Sequence, residues 1–185
     1  MAGRRGRVRA QEPPDGIADE VPDAVPADVA RTIVLRSLNQ APRTRKQLAD
    51  LLAKRLVPDD VAAAVLDRFV EVGLINDRDY ADNWVRSRHR VRGLTRRVLR
   101  QELRQRGVSD VDIEAALEQI GEDDEFRAAM DLTERKLRGM GGYDESVQRR
   151  RLMGMLMRKG YGGSVATAAI SEVLASTGSA EETWT

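Results

Sequence analysis

The chain has 185 residues, a formal net charge of +1, 33% charged residues and only 4% aromatic residues. This length suits one medium domain or several small repeated units, with cores built from aliphatic residues and methionine. The lack of cysteine excludes disulfides and thiolate metal sites, and the single histidine, His89, excludes a histidine-based zinc site, so no cofactor is expected.

The sequence shows no apolar run near the roughly 20 residues that span a membrane, and its first residues lack the apolar core of a signal peptide. We therefore expect no membrane partner and a cytoplasmic location.

The composition of residues 1–28 predicts a disordered tail. They hold four of the six prolines, a basic cluster from Arg4 to Arg9 and a run of acids from Glu12 through Asp23. Such a segment buries too little apolar surface to offset its ordering entropy. The basic cluster could touch nucleic acid, although short charge runs more often only solvate a tail.

From Val29 onward the pattern predicts helices almost without interruption, and no convincing strand. Thr44 followed by Gln47 forms a capping-box signature at a helix start. Ser109 and Asp123 are the predicted caps of two later helices. The small glycine cluster at residues 139–142 follows no strand, which favours an inter-helix loop over a phosphate-binding site.

The helical pattern is periodic. Three stretches can be set in register: TRKQLADLLAKRLVPDDVAAAVL, TRRVLRQELRQRGVSDVDIEAAL and VQRRRLMGMLMRKGYGGSVATAAI. The positions that coincide are Leu48, Leu99 and Leu152; Leu52, Leu103 and Leu156; Val57, Val108 and Tyr161; and Leu66, Leu117 and Ile170. The pattern predicts an all-α, elongated tandem array of three three-helix repeats at residues 29–76, 77–121 and 122–176, with disordered tails at 1–28 and 177–185.

The strongest local signal is the stretch RSRHRVRGLTRRVLRQELRQR, residues 86–106, which holds nine arginines and one glutamate. A helix over residues 95–106 places four arginines in one arc of about 100° beside its apolar side. These four are Arg96, Arg97, Arg100 and Arg104. Like charges on one helix face repel by a few tenths of a kcal/mol per pair, so a polyanion or an acidic protein groove would use them. The alternative is a solvated basic face, since arginine is also a good helix former.

No motif for catalysis or nucleotide binding is present: there is no P-loop, dinucleotide fingerprint or nucleophile elbow. His89 lies between arginines, which is typical of a surface or backbone-contacting histidine. Tyr80 and Trp84 have the i, i+4 spacing of a buried helix face, so core packing is favoured over base stacking. Any DNA contact would then be mainly with phosphate and weakly specific.

Two segments resemble the RecX family of regulators of the RecA recombinase. They are EVGLINDRDYADNWVRSR, residues 71–88, and GLTRRVLRQELRQRGV, residues 93–108. They combine a glycine, an apolar pair and acids before an aromatic-Ala helix with a basic turn and a Q-E-L-x-x-x-G segment. RRRLMGMLMRKGY, residues 149–161, is similar to the family's third-repeat helix. The resemblance runs from about residue 29 to 174. Leu56 departs from the pattern, because the later repeats have Gly107 and Gly160 at this position.

The resemblance implies tandem three-helix repeats without catalytic activity that bind RecA and lie along the groove of the RecA–DNA filament. Such proteins suppress filament growth, strand exchange, ATP hydrolysis and assisted repressor cleavage, which are steps of DNA repair, recombination and the SOS response. We expect a monomer with weak, non-specific binding to DNA phosphate; filament capping and groove binding both stay open. The predicted RecA- or DNA-binding residues are Arg86, Arg88, Arg90, Arg92, Arg96, Arg97, Arg100, Arg104, Arg149, Arg150, Arg158 and Lys159.

A second hypothesis is a sequence-specific DNA-binding protein built from tandem helix-turn-helix-like units. Against it, the basic residues spread over two repeats and flank helix ends. In addition, no recognition helix that is rich in both arginine and the Asn or Gln that read base edges stands out. An enzyme is the remote third hypothesis.

Overall fold

A computed structural model describes residues 26–121 and 123–181, and over these residues the chain is helical with no strand. The first two units contain α1 (Pro26–Gln40), α2 (Arg45–Lys54), α3 (Asp59–Glu71), α4 (Asp77–Arg92), α5 (Arg96–Gln105) and α6 (Asp110–Leu117). The third contains α7 (Asp124–Leu137), α8 (Glu145–Arg158) and α9 (Gly163–Glu181). The predicted loop at residues 139–142 joins α7 to α8. The disorder predicted for the N-terminal tail concerns residues that, up to residue 25, lie outside the described part of the chain.

Each group of three helices closes around a core of its own, so the predicted all-α tandem array of three-helix units is confirmed. Every repeated apolar position from the sequence register is buried, including Leu48 in unit 1, Leu99 in unit 2 and Leu152 in unit 3. The three buried clusters share no residue. Helix flanks pack against one another within units, whereas neighbouring units meet through helix ends. Burial in each small core therefore stabilises mainly the unit that contains it.

Three helix starts test the predicted caps. Thr44 accepts a hydrogen bond from Gln47 N at 3.2 Å and the Gln47 side chain accepts one from Thr44 N at 3.2 Å, which confirms the capping box. Ser109 caps α6 by accepting from Asp112 N at 3.2 Å. The prediction for Asp123 is wrong in its chemistry. Its backbone is helical instead of extended and its side chain makes no capping bond, while the Asp124 carboxylate accepts from Gly121 N at 2.7 Å.

The outer helices extend beyond the boundaries that the sequence suggested. The first helix begins at Pro26, three residues before residue 29, because proline costs nothing in a first turn that has no N–H partner. The last helix runs to Glu181, past residue 176. Within it, the hydroxyls of Ser176 and Thr177 both donate to Val173 O at 2.9 Å. These bonds satisfy polar side chains along the helix, and Gly178 alone does not end it.

The units are joined by the same arrangement twice. At the first joint, Thr44 Oγ1 donates to Arg106 O at 2.6 Å and Arg45 N donates to Asp77 Oδ1 at 2.9 Å. Burial raises the pKa of the Asp77 carboxyl, and the bond from Arg45 N opposes that shift. Both contacts use backbone groups that the helix ends leave free.

At the second joint, Thr95 N donates to Lys159 O at 3.3 Å and Arg96 N donates to Glu125 Oε1 at 2.7 Å. In both joints, the start of a unit's middle helix therefore meets two parts of the next unit. One is the end of that unit's middle helix, and the other is an acid in the first turn of its leading helix. This shared geometry is the structural form of the sequence repeat.

Two glycines make these joints possible. Gly107 and Gly160 follow the middle helices of units 2 and 3 with φ of 79° and 98°. A Cβ on Gly107 would lie 2.3 Å from Lys46 Cδ, and one on Gly160 would lie 2.4 Å from Thr95 Oγ1. Leu56 has the same left-handed conformation, with φ of 59°, yet its side chain is 90% exposed. No described unit packs against it, so a side chain fits there despite its backbone cost.

We predict that Gly160→Ala destabilises the protein by about 2 to 4 kcal/mol, since left-handed backbone strain adds to overpacking against Thr95 and Val98. The matched control is Leu56→Ala, which places alanine in the same conformation on an open surface. It should change the free energy of unfolding by less than about 0.5 kcal/mol. Urea denaturation followed by circular dichroism measures both, and equal effects of the two substitutions would contradict this account of the joint.

Candidate nucleic-acid and protein interface

The basic turn between α4 and α5 is fixed against unit 3. Its backbone carbonyls accept hydrogen bonds from that unit: Tyr161 OH donates to Gly93 O at 3.0 Å, and Lys159 Nζ donates to Arg92 O. Within the turn, His89 Nδ1 donates to Leu94 O at 3.0 Å, which confirms the prediction of a backbone-contacting histidine. The arginines of the turn are thus carried by a backbone held at several points.

The predicted basic residues do not form one uniform group, because three of them are neutralised by acids of their own unit. Arg100 makes a two-point ion pair with Glu114 of α6, at 2.7 and 2.9 Å. Its hydrogen bond raises the pKa of Arg100 and lowers that of Glu114. Arg104 pairs with Asp110 at 2.7 Å. In unit 3, Arg149 pairs with Glu145 at 2.7 Å and donates to Ser171 Oγ at 3.1 Å.

A second set of predicted residues contacts backbone or aromatic groups. Arg97 donates across the second joint to Gly160 O at 3.3 Å, and Lys159 donates to Arg92 O. The guanidinium of Arg88 lies 4.2 Å from the centre of the Trp84 ring. These three side chains keep their charge while holding the scaffold together. Their substitution would therefore change structure as well as surface charge.

The side chains of the remaining predicted cations have no hydrogen-bond or ion-pair partner among the described residues. They are Arg86, Arg90, Arg92, Arg96, Arg150 and Arg158. Four of them, which we call the α4–α5 group, lie within one short segment: Arg86, Arg90, Arg92 and Arg96. Arg86 and Arg90 are one helical turn apart on the same side of α4, and Arg92 and Arg96 flank the fixed turn. Within unit 2, this group is the part of the predicted surface that is open to an external anion.

The structure adds one cation that the sequence did not mark. The pKa of Lys159 is lowered, first by burial and then by the positive charges of Arg135 and Arg92. Arg135 of α7 therefore belongs to the positive potential at the second joint. In the sequence it is an arginine in the last turn of a helix, where the helix dipole alone accounts for it. No pattern distinguishes it before the fold is known.

Trp84 was expected to pack in a core, and it packs partly buried against the core of unit 2. Its indole N–H donates to Glu102 at 2.8 Å, and Tyr80 stacks on it at a centroid distance of 5.8 Å. The guanidinium of Arg106 lies 3.8 Å from the ring centre, in addition to that of Arg88. Protein groups thus already occupy the ring, which favours phosphate contact over base stacking.

The comparisons with known proteins agree with this repeat architecture. Three family models match consecutive parts of the chain. They are described as the first, second and third three-helix domains of RecX, at residues 30–69, 76–117 and 122–170. The chain belongs to the RecX family. Each matched segment falls on one of the three helical units described above.

Relatives named regulatory protein RecX resemble the chain over most of its length. The Streptomyces lividans protein is 48% identical over 83% of this chain and 81% of its own. The Mycolicibacterium smegmatis protein is 42% identical over 95% of this chain and 96% of its own. A crystal structure of RecX from Lactobacillus salivarius shares the fold, with a TM-score of 0.68 at 21% identity over 80% of this chain and 96% of that one.

The described residues contain neither a membrane-spanning helix nor a candidate metal site. None of their helices is long and apolar enough to cross a membrane. Nor do they contain a cluster of His, Asp or Glu side chains that could hold a metal ion.

Tyr161→Phe tests how firmly the second joint holds the basic turn. Losing the hydroxyl leaves the buried Gly93 carbonyl unpaired and should cost about 1 to 2 kcal/mol in urea unfolding. The exposed residue Tyr143 provides the matched control, Tyr143→Phe, which should be neutral.

The same substitution has a pH signature. Burial, with Glu125 nearby, raises the pKa of Tyr161 above its ordinary value of about 10. The folded protein therefore keeps a proton that the unfolded chain loses. Stability from Tyr161 is fully present below about pH 10 and declines above it, so the difference between wild type and Tyr161→Phe should narrow there. A difference that stays constant with pH would contradict the buried, donating hydroxyl.

Removing the acids of α6 should release Arg100 and Arg104 for anion binding. For the variant Asp110→Asn/Glu114→Gln, we expect the dependence of log affinity on log salt to steepen by about 0.7 per freed arginine on single-stranded DNA. The control Asp59→Asn/Asp60→Asn removes the same charge from the first turn of α3, where neither acid has an ion-pair partner among the described residues. It should leave the slope unchanged. Fluorescence anisotropy with an oligonucleotide measures both slopes, and identical slopes would show that the paired arginines stay unavailable.

Proposed function

We propose that this chain is a non-catalytic regulator that binds RecA and the RecA–DNA filament and inhibits recombinase activities. The inhibited activities are filament growth, strand exchange, ATP hydrolysis and assisted repressor cleavage. The protein acts in the cytoplasm as a monomer and without a cofactor. Membership of the RecX family and relatives named regulatory proteins support this proposal.

The observation that carries the proposal is the α4–α5 group. The side chains of these four arginines have no acid partner in the part of the chain that the structure describes, although the chain has nearly as many acids as bases. A folded protein gains nothing from keeping like charges close together, whereas a polyanion or an acidic protein surface gains from all of them. Because the turn is held by unit 3, little further ordering of its backbone would be needed on binding.

The ion pairs direct the contact toward this group and away from α5. Arg100 and Arg104 could contact RecA or DNA only by giving up Glu114 and Asp110. Exchanging one partly exposed ion pair for another gains little binding free energy, since each such pair contributes only about 0 to 1 kcal/mol. The basic residues of unit 3, Arg150 and Arg158, extend the unpaired positive charge beyond the second joint.

The helix-turn-helix alternative is disfavoured by the third helix of the first two units. In such proteins the N-terminal residues of the recognition helix contact base edges. Here α3 begins with Asp59 and Asp60, and α6 carries Asp110 and Asp112 in its first turn. Four acids at these positions would repel the phosphates that flank a major groove.

A triple charge reversal tests the proposal. Arg90→Glu/Arg92→Glu/Arg96→Glu should raise the concentration that half-inhibits RecA ATPase by at least about tenfold, equivalent to ~1.4 kcal/mol. None of these three side chains makes an ion pair with another residue that the structure describes, so helicity and the urea midpoint should change little.

The matched control applies the same charge change to arginines that pair with acids within their own helices. Arg31, Arg68 and Arg127 each contact an acid three residues away on an exposed surface. Reversing these three should leave inhibition close to wild type. Unchanged inhibition by the α4–α5 variant, or an equal loss in the control, would reject the proposed contact. Preference for one promoter sequence over random duplex would instead favour the DNA-binding alternative.

A further inference from the structure

Unit 1 contains a basic cleft that the α4–α5 group does not explain. The cleft opens between α1 and α2 and has a volume of about 450 Å³. Its apolar contribution comes from the half-buried side chains of Ile33 and Leu51. Four cations line it: Arg36, Arg43, Lys54 and Arg55. We call this feature the unit 1 cleft.

The charge of the unit 1 cleft is uncompensated. None of its four cations has an ion-pair or hydrogen-bond partner for its side chain among the described residues. Asp50 is the one acid among the described residues that line it, and Asp50 is already paired with Lys46 at 2.7 Å. A groove with apolar walls and a positive rim fits a segment of chain that carries several acids and a few aliphatic side chains.

The chain itself supplies such a segment just before α1. Residues 12–23, EPPDGIADEVPD, contain five acids and no basic residue. They also carry two aliphatic side chains four residues apart, Ile17 and Val21. We propose that this acidic segment binds in the unit 1 cleft of the same chain, with its carboxylates against the four cations and its aliphatic side chains against Ile33 and Leu51.

The distances allow this contact without strain. Arg36 lies ten residues into α1, about 15 Å from Pro26 along the helix axis. The eight residues from Ala18 to Pro26 can span up to about 28 Å when extended. The acidic segment can therefore turn back at residue 25 and lie beside α1. Tethering in the same chain gives an effective concentration of about 1 mM or more, so a weak electrostatic contact is well populated.

The unit 1 cleft would then be a binding site for acidic peptides, and the acidic segment of the same chain would occupy it. An external polyanion would have to displace the acidic segment before it reached these cations. The inference goes beyond the proposed function and does not depend on it, since it concerns only residues of this chain.

Paramagnetic relaxation in solution tests the proposal on the full chain. The sequence has no cysteine, so Ala18→Cys gives one attachment point for a nitroxide label without altering any charge. The amide signals of Ser37, Gln47 and Leu51 should lose about half of their intensity or more, as expected for a tethered, well-populated contact. Raising the salt from about 0.05 to 0.5 M should restore them by screening the contact.

Two labelled variants supply the decisive comparison. Arg36→Glu/Lys54→Glu should abolish the broadening, because it reverses half of the positive charge of the cleft. Arg31→Glu/Arg68→Glu makes the same charge change elsewhere on unit 1, and it should leave the broadening in place. All four side chains are exposed, and unshifted amide signals of the unit 1 core, such as Val34, Leu48 and Leu66, report that unit 1 is folded in each variant.

Three results would overturn the proposal. One is broadening that is uniform over the three units, and another is broadening that persists in Arg36→Glu/Lys54→Glu. The third is an absent label effect together with shifts of the cleft amides when an oligonucleotide is added. That result would assign the unit 1 cleft to nucleic acid.

Discussion

The architecture depends on how the middle helix of one unit meets the next unit. An isolated helix start leaves backbone N–H groups unpaired, and an isolated helix end leaves carbonyls unpaired. At the first joint the Thr44 hydroxyl donates to the free carbonyl of Arg106, and at the second the backbone N–H of Thr95 donates to Lys159 O. The close approach is possible only because Gly107 and Gly160 have no side chain. Three small cores thereby become one array through hydrogen bonds, with little apolar surface shared between them.

Charge is distributed over this array by the same geometry. The first turn of α6 attracts acids because of the helix dipole, and that turn lies beside α5. Arg100 and Arg104 are consequently neutralised within unit 2. The α4 end and the basic turn face unit 3, whose nearby acid Glu125 is engaged by the backbone of Arg96. The arginine side chains of the α4–α5 group therefore remain unpaired within residues 26–121 and 123–181, even though the whole chain is almost neutral.

Much of the fold could be predicted from the sequence. The repeated apolar positions, from Leu48 to Ile170, predicted three three-helix units, since periodic burial depends only on spacing. The Thr44 capping box could also be predicted, because its two residues, Thr44 and Gln47, are only three positions apart in the chain. The failed cap at Asp123 depends on a backbone angle that residue type does not determine.

The site was less accessible to sequence reasoning. A helical projection places Arg96, Arg97, Arg100 and Arg104 in one arc, but it contains no information about the neighbouring helix. It could therefore not separate the paired Arg100 from the unpaired Arg96, nor foresee that Arg97 reaches Gly160 O. Arg135 contributes to the positive potential at the second joint only because the fold brings α7 beside Lys159. Contacts between different helices, such as those of Arg100 with Glu114 and of Arg97 with Gly160, decide which charges are available.

The residue that follows the middle helix, Leu56 in unit 1 and glycine in units 2 and 3, determines where a neighbouring unit can pack. At the equivalent positions of units 2 and 3, glycine lets the preceding unit approach, and the approach at Gly160 uses backbone groups of the basic turn. At unit 1 the leucine is exposed and nothing described packs on it. The joint that fixes the α4–α5 group is thus the second one, where Tyr161 and Lys159 hold the carbonyls of the turn. A partner that binds these arginines only in the joined state would add its binding free energy to the stability of that joint. Binding and the relative position of units 2 and 3 are therefore thermodynamically linked.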